Sequence, residues 1–186
     1  MKYSPAYFDN YYSGTYEDTF HFAFPLERIL HKEWSACFKD APTSFADIGC
    51  GLGHTLLEAR HLLPKADVIY GVEHQEIPAD RTVSKDIVFG DIMEIYLQLP
   101  IVDFLYVACS MYIPYSEQAE FLTAMTGLAR KAIIFANVYI EDGRSIPKDH
   151  LRTTIYKSRQ SFKDVMKSLN FTFKGSKNID FFINKQ

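Results

Sequence analysis

The chain has 186 residues, of which 47% are hydrophobic and 23% are charged, and its formal net charge is −3. This length suits one domain, predicted over residues 1–186, and the composition is that of a soluble globular protein. No apolar run is long enough to span a bilayer, and the first residues lack the apolar core of a secretion signal, which predicts a cytoplasmic protein without a membrane partner.

The cysteines and histidines favour neither a disulfide framework nor a metal site. Cys37, Cys50 and Cys109 are odd in number and include no CxxC pair, and the six histidines are scattered along the chain. Structural zinc sites and disulfide-rich domains need ligands or partners at paired spacings. We therefore predict no bound metal.

Charge is distributed unevenly along the chain. Residues 1–143 contain 10 Lys and Arg against 20 Asp and Glu, whereas residues 144–186 contain 10 against 3. A basic region of this kind can be a solvated helix face or the rim of a site for an anionic substrate. The basic residues alternate with polar and apolar ones, which favours the solvated face.

The first 42 residues are predicted to form an aromatic arm and a cap helix ahead of the core. Residues 3–20 are rich in tyrosine and poor in aliphatic side chains. Pro25 is typical of the first turn of a helix. Apolar side chains then recur at helical spacing on one face, at Leu26, Ile29, Leu30, Trp34, Cys37 and Phe38.

Strands and helices alternate through residues 43–186. Buried strands are predicted at residues 44–49, 67–72, 86–90, 101–109 and 131–138, with helices at 54–63, 92–99 and 116–130 between them. A helix about residues 162–169 and two strands at 170–175 and 179–185 follow. The predicted fold class is therefore α/β: a doubly wound, mainly parallel seven-stranded sheet with helices on both faces and a C-terminal antiparallel hairpin.

The turn between the first strand and the first helix is the most informative segment, DIGCGLGH at residues 47–54. Glycines let the backbone approach a ligand closely, and open α/β sheets bind ligands at this edge. Dinucleotide folds require GxGxxG, whereas Gly49, Gly51 and Gly53 follow GxGxG and His54 stands where the third dinucleotide glycine would be. The spacing therefore disfavours an NAD-dependent oxidoreductase.

This pattern, with Asp47 two residues before the first glycine, resembles motif I of the class I S-adenosylmethionine-dependent methyltransferases. The resemblance covers residues 43–186, because the order of strands and helices also agrees. It implies S-adenosylmethionine as cofactor and S-adenosylhomocysteine as product. An acid ending the second strand, here Glu73, would hold the ribose hydroxyls, and an acid after the third, here Asp91, would lie near the adenine amino group.

The cofactor-binding residues that the resemblance implies lie at strand ends: Asp47, Gly49, Cys50, Gly51, Gly53, Glu73, His74, Asp91, Ile92 and Cys109.

The sequence departs from the family in the connection between the second and third strands, where only 12 residues separate Glu73 from Asp86 and Pro78 interrupts them. The family's helix at this place must be short or replaced by a loop. Asp91 could also cap the helix that follows it, and the two roles are compatible.

The acceptor is expected beyond the fourth strand, near Met111 and Tyr112, with Tyr11 of the arm close by. Tyr112 could contact the acceptor, act as a weak base or pack under the loop.

The segment SMYIP departs from the [DNS]PP[YFW] pattern of enzymes that methylate exocyclic amines of bases. Cys109 follows Ala rather than Pro, which disfavours the nucleophile role known from cytosine C5 methyltransferases. The arm could form a lid over the cofactor or a fixed strap.

These features predict an enzyme that transfers a methyl group from S-adenosylmethionine to an O or N atom of a small-molecule acceptor. Two alternatives stay open. One is a catalytically inactive S-adenosylmethionine-binding protein of the same fold. The other is a nucleic-acid methyltransferase, which the acidic character of residues 1–143 disfavours. The acceptor and the oligomeric state are not predicted.

Overall fold

The computed structural model describes residues 26–74, 76–107, 113, 115–135, 159–175 and 179–185. The predicted aromatic arm, including Tyr11, lies outside the described residues. So do the acceptor-side candidates Cys109, Met111 and Tyr112. The fold and the candidate site are therefore built from the sheet, its helices and the turns at the carboxyl ends of the first three strands.

Seven strands form one sheet in the order β3-β2-β1-β4-β5-β7-β6. The first five pair in parallel, whereas β7 runs antiparallel to both of its neighbours, β5 and β6. This arrangement confirms the predicted α/β class and the closing hairpin. The strands are β1 (Ser44–Ile48), β2 (Val68–Glu73), β3 (Ile87–Phe89), β4 (Val102–Val107), β5 (Ala129–Phe135), β6 (Phe171–Phe173) and β7 (Asp180–Asn184).

Helices cover both faces of the sheet. On one face lie α1 (Leu26–Arg28), which continues as a π-helix (Ile29–Trp34), and α2 (His54–Leu62). On the other face lie α3 (Ile92–Ile95), α4 (Gln118–Leu128) and α5 (Arg159–Ser168). The central strands β1 and β4 are buried along their whole length, as expected for strands covered on both sides.

The cap helix differs from the regular helix that the apolar spacing predicts. Its second part is a π-helix, and the Ser35 N–H donates to the Leu30 carbonyl at 3.2 Å. The wider turn still buries Ile29 and Trp34, and the indole of Trp34 packs against Phe104 of β4 with ring centroids 5.4 Å apart. Helical periodicity predicts which side chains are buried but does not distinguish π from α geometry.

The helix predicted at residues 116–130 is shorter at both ends. A 3₁₀ turn (Tyr115–Glu117) precedes α4, and the residue before α4, Glu117, makes no side-chain cap. The last two residues predicted as helical begin β5 instead. Arg130, the second of them, donates to Asp103 on the neighbouring strand β4, a long-range contact that local propensity does not predict.

The connection from β2 to β3 contains no helix in residues 74 and 76–86, in agreement with its predicted shortness. No helix occurs in the described part of this connection, and three apolar side chains beside it are accessible. Val83 is 41% exposed, and Val88 and Phe89 of β3 are 40% and 38% exposed. The described residues therefore cover the flank beside β3 only in part.

A buried carboxylate secures the amino-terminal edge of the sheet. Asp103 at the start of β4 accepts hydrogen bonds from Thr43, from Arg130 at 3.0 Å and from Lys131 at 2.9 Å. Burial alone would raise the pKa of Asp103, but Lys131 and Thr43 outweigh it and hold this pKa below its usual value. Asp103 therefore joins β4, β5 and the segment before β1 while it is ionised.

We expect Asp103→Asn to lower the free energy of unfolding at neutral pH by about 2 kcal/mol, the scale of hydrogen bonds to a charged partner. Because the folded-state pKa is lowered, this stabilisation is complete above the unfolded value of about 4 and is lost as the pH falls through the folded value. Urea unfolding at pH 7 and at pH 3 measures the effect. Asp67→Asn, at an exposed residue before β2, is the control, and an equal deficit of D103N at both pH values would contradict the assignment.

Candidate functional site

The three glycines of the loop all adopt left-handed backbone conformations. Their φ angles are +81° at Gly49, +54° at Gly51 and +89° at Gly53. Residues with a Cβ rarely adopt such angles, so the sharp turn from β1 into α2 requires glycine. The Gly49 and Cys50 N–H groups donate to the Val72 carbonyl at 2.8 and 3.1 Å, which fastens the turn to the end of β2.

Gly71 in β2 allows the loop to pack this closely against the strand. A Cβ at Gly71 would lie 2.6 Å from the Cys50 Sγ and 2.7 Å from the Leu56 Cδ1. Both side chains are buried. A glycine inside a strand indicates a close approach of this kind, and that signal would have identified Gly71 as part of the site from the sequence.

Glu73 connects the end of β2 to the glycine loop. Its Oε2 accepts a hydrogen bond from the Gly51 N–H at 2.9 Å, and its Oε1 accepts one from the His74 N–H, also at 2.9 Å. The side chain is buried. Glu73, predicted to contact the cofactor ribose, thus lies against the loop predicted to contact the same cofactor.

Asp47 lies beneath the loop on the side of the sheet covered by α2. It is 2% exposed, and its Oδ1 has no hydrogen-bond partner among the described residues. Burial raises the pKa of Asp47 to about 7; a hydrogen bond from Thr55 opposes this shift and the nearby Glu73 adds to it. The floor of the loop therefore contains the Asp47 carboxyl group, whose pKa is raised, close to the carboxyl group of Glu73.

The β2–β3 connection closes the side of the glycine loop. The Val83 N–H donates to the Leu52 carbonyl at 2.9 Å. A Cβ at Gly53 would lie 2.9 Å from the Ser84 Cβ and 3.1 Å from the Ile87 Cδ1. The loop that replaces the family's helix thus contacts the glycine turn directly, and Ser84 joins Thr55 and Gly71 as neighbours of the site that the sequence analysis did not identify.

At the end of β3, Asp91 caps the short helix α3, as one of its two predicted roles requires. Its Oδ1 accepts a hydrogen bond from the Met93 N–H at 2.9 Å. The Nδ1 of His74, at the end of β2, lies 3.9 Å from the Asp91 Oδ2. Ile92 is buried beside them. The structure therefore brings three residues of the predicted cofactor-binding set together at the ends of β2 and β3.

The predicted site residues that are described form one continuous band along the carboxyl edge of β1, β2 and β3. The Cys50 side chain is buried, and its Sγ packs under the loop toward Gly71 of β2. No group of three or more His, Cys, Asp and Glu residues arranged to hold a metal ion occurs in the described part of the chain, and no described helix has the length and apolarity to cross a membrane.

Comparison with solved structures identifies the fold as that of class I methyltransferases. Human N-acetylserotonin methyltransferase, solved in complex with S-adenosylmethionine, is 15% identical with a TM-score of 0.59, over 100% of this chain and 61% of that one. CalO1, a methyltransferase of calicheamicin biosynthesis in its S-adenosylhomocysteine-bound form, is 16% identical with a TM-score of 0.57, over 96% and 60%. The plantazolicin methyltransferase BpumL, solved with S-adenosylhomocysteine and a desmethylated plantazolicin analogue, is 23% identical with a TM-score of 0.50, over 69% and 53%.

These likenesses show the fold, and the chain spans about three fifths of the length of the first two structures. The sequence matches no family model and no curated protein.

We expect Gly71→Ala to destabilise the domain by about 1–3 kcal/mol, the usual cost of forcing an extra methyl group into a packed core. Gly127→Ala in α4 is the matched control, because a Cβ there meets no atom within 4 Å and alanine favours helix by about 1 kcal/mol. Thermal or urea unfolding of both variants tests the pair. If Gly71→Ala were as stable as Gly127→Ala, the close packing of Cys50 on β2 would be wrong.

Proposed function

We propose that the chain is a methyltransferase that moves the methyl group of S-adenosylmethionine to an O or N atom of a small-molecule acceptor. The observation that carries this proposal is the contact between Glu73 and the GxGxG turn. This turn connects β1 to α2 in a fold like that of the class I methyltransferases. Solved neighbours with this fold hold S-adenosylmethionine or S-adenosylhomocysteine, which supports the same ligand here.

The residues present suit that cofactor. The left-handed glycines bring bare backbone to the carboxyl edge of the sheet, where a ligand can approach closely. A carboxylate offers about four acceptor positions, so the Glu73 side chain suits a pair of ribose hydroxyls. His74, Asp91 and Ile92 would line the adenine side.

Methyl transfer requires the protein to align the acceptor with the donor and to enclose both, rather than to activate the methyl group. The bound sulfonium supplies an already activated methyl group. The glycine turn and Glu73 would fix the donor, and the surrounding residues would orient the acceptor in line with it and exclude water. A base is needed only for an acceptor that must lose a proton early, and Tyr112 stays the weak candidate for that role.

The acceptor side of the site stays a prediction. Tyr11, Met111 and Tyr112 are proposed to contact the acceptor, and Cys109 to border the cofactor. A small molecule is favoured because CalO1 and N-acetylserotonin methyltransferase are named for such chemistry. A cytoplasmic location and a single domain over residues 1–186 likewise stay predictions from the sequence.

Two basic side chains in the described part of the C-terminal region have partners within the protein, which argues against a nucleic-acid substrate. Arg159 donates to Asp180 at 2.8 Å. Lys163 lies over the Phe173 ring, with its Nζ 3.7 Å from the centroid. This supports the solvated-face interpretation of the positive charge, because charges engaged in local pairs contribute less to phosphate binding.

We expect S-adenosylmethionine and S-adenosylhomocysteine to bind and NAD not to bind. Glu73→Ala should weaken S-adenosylhomocysteine binding by about 1–3 kcal/mol, because charge-assisted hydrogen bonds are lost. Isothermal titration measures both, with Glu94→Ala, at an exposed acid of α3, as the matched control.

Two outcomes would decide against parts of this proposal. NAD binding with no response to either adenosyl ligand would overturn the cofactor assignment. Tight S-adenosylhomocysteine binding without methyl transfer to any acceptor, followed with a radiolabelled donor methyl group, would favour the inactive binding protein instead.

A further inference from the structure

The buried Asp47 carboxyl group has no cation to balance a charge in the described part of the protein. It is 2% exposed, its Oδ1 lacks a hydrogen-bond partner there, and none of the described ion pairs includes it. An unbalanced buried carboxylate is costly, so such a group takes up a proton instead.

Among the described residues, the groups that face Asp47 come from three elements. Helix α2 contributes the neutral hydroxyl of Thr55, and β2 contributes the Glu73 carboxylate. On β4 the register neighbour of Asp47 is Tyr106, whose side chain lies on the same face of the sheet. Glu73 adds negative charge and Thr55 supplies one hydrogen bond, so the surroundings on balance favour the protonated form.

The two ligands of the proposed reaction differ in charge at this place. S-adenosylmethionine carries a sulfonium, an ammonium and a carboxylate, for a net charge of about +1, whereas the product has lost the sulfonium charge. A cation entering above two close carboxyl groups stabilises the state in which both are ionised. The product keeps the ammonium and the carboxylate but lacks the sulfonium, so it provides less of this stabilisation.

We propose that Asp47 distinguishes the charged donor from the neutral product, by releasing its proton to solvent when S-adenosylmethionine binds and retaining it when S-adenosylhomocysteine binds. The O–H bond of the carboxyl group breaks on donor binding, the electron pair stays on Asp47, and the proton goes to the buffer. When the sulfonium charge disappears on methyl transfer, Asp47 takes a proton back from solvent. This inference rests on the proposed function.

Two consequences are measurable. At pH 7 a group with a pKa of about 7 is half protonated, so donor binding should release about half a proton and product binding almost none. The ratio of the dissociation constant of the product to that of the donor should rise about tenfold from pH 6 to pH 8, as expected for one linked proton.

Titration calorimetry in phosphate and in Tris, whose ionisation enthalpies differ, gives the number of protons released with each ligand. Asp47→Asn should abolish both the release and the pH dependence of the ratio, while Asp67→Asn should leave both unchanged. Thr55→Val removes a hydrogen bond that lowers the pKa of Asp47, so it should increase the release at pH 7 and move the rise of the ratio to higher pH.

The outcomes separate this inference from the proposed function. If both ligands bind to the wild-type protein with equal proton release and a constant affinity ratio, the inference is wrong and the function stands. Proton release that persists in a folded Asp47→Asn variant would assign it to another group and overturn the inference. If that variant does not fold, the shift with Thr55→Val decides. Failure of both ligands to bind the wild-type protein overturns the proposed function itself.

Discussion

The Glu73 carboxylate is the contact on which the candidate site depends. It accepts hydrogen bonds from the Gly51 and His74 N–H groups, so one side chain holds the turn after β1 and the residue after β2 in a common position. Neighbouring parallel strands end at the same edge of the sheet, and the two hydrogen bonds of this carboxylate fix how the ends of β1 and β2 lie relative to each other. His74 also approaches Asp91 at the end of β3, and Asp47 lies close to Glu73 in the floor of the loop.

Packing and electrostatics both constrain the residues at the carboxyl edge of the sheet. Close packing requires glycine at two positions, Gly71 under Cys50 and Gly53 beside Ser84, because a Cβ there would lie too close to its neighbours. Electrostatics acts in addition, because burial and, to a smaller extent, the neighbouring Glu73 leave Asp47 costly to ionise. In the proposed function, such a site would suit a ligand that brings its own positive charge and would need little movement of the backbone.

The sequence predicts the parts of the structure that depend on local pattern. Strand positions, the glycine turn and the missing helix before β3 follow from burial runs, from GxGxG and from a 12-residue spacing with Pro78. The sequence does not predict the features that depend on packing between distant residues. These are the π-geometry of the cap helix, the early start of β5 beside Asp103, and the Asp47 oxygen without a partner among the described residues. These depend on which residues meet across the sheet, which no single segment encodes.

The position of β7 constrains the order in which the sheet can assemble. This strand lies between β5 and β6, although β6 precedes it in the chain, so β6 has no strand to pair with until β7 is in place. The register that joins Phe135 to Asp180 closes a loop of more than forty residues, and loop closure of this length slows strand pairing. The half of the sheet that forms the glycine site, built from β1, β2 and β3, needs none of these residues for its own pairing. The site can therefore acquire its geometry early, while the far edge of the sheet is still open.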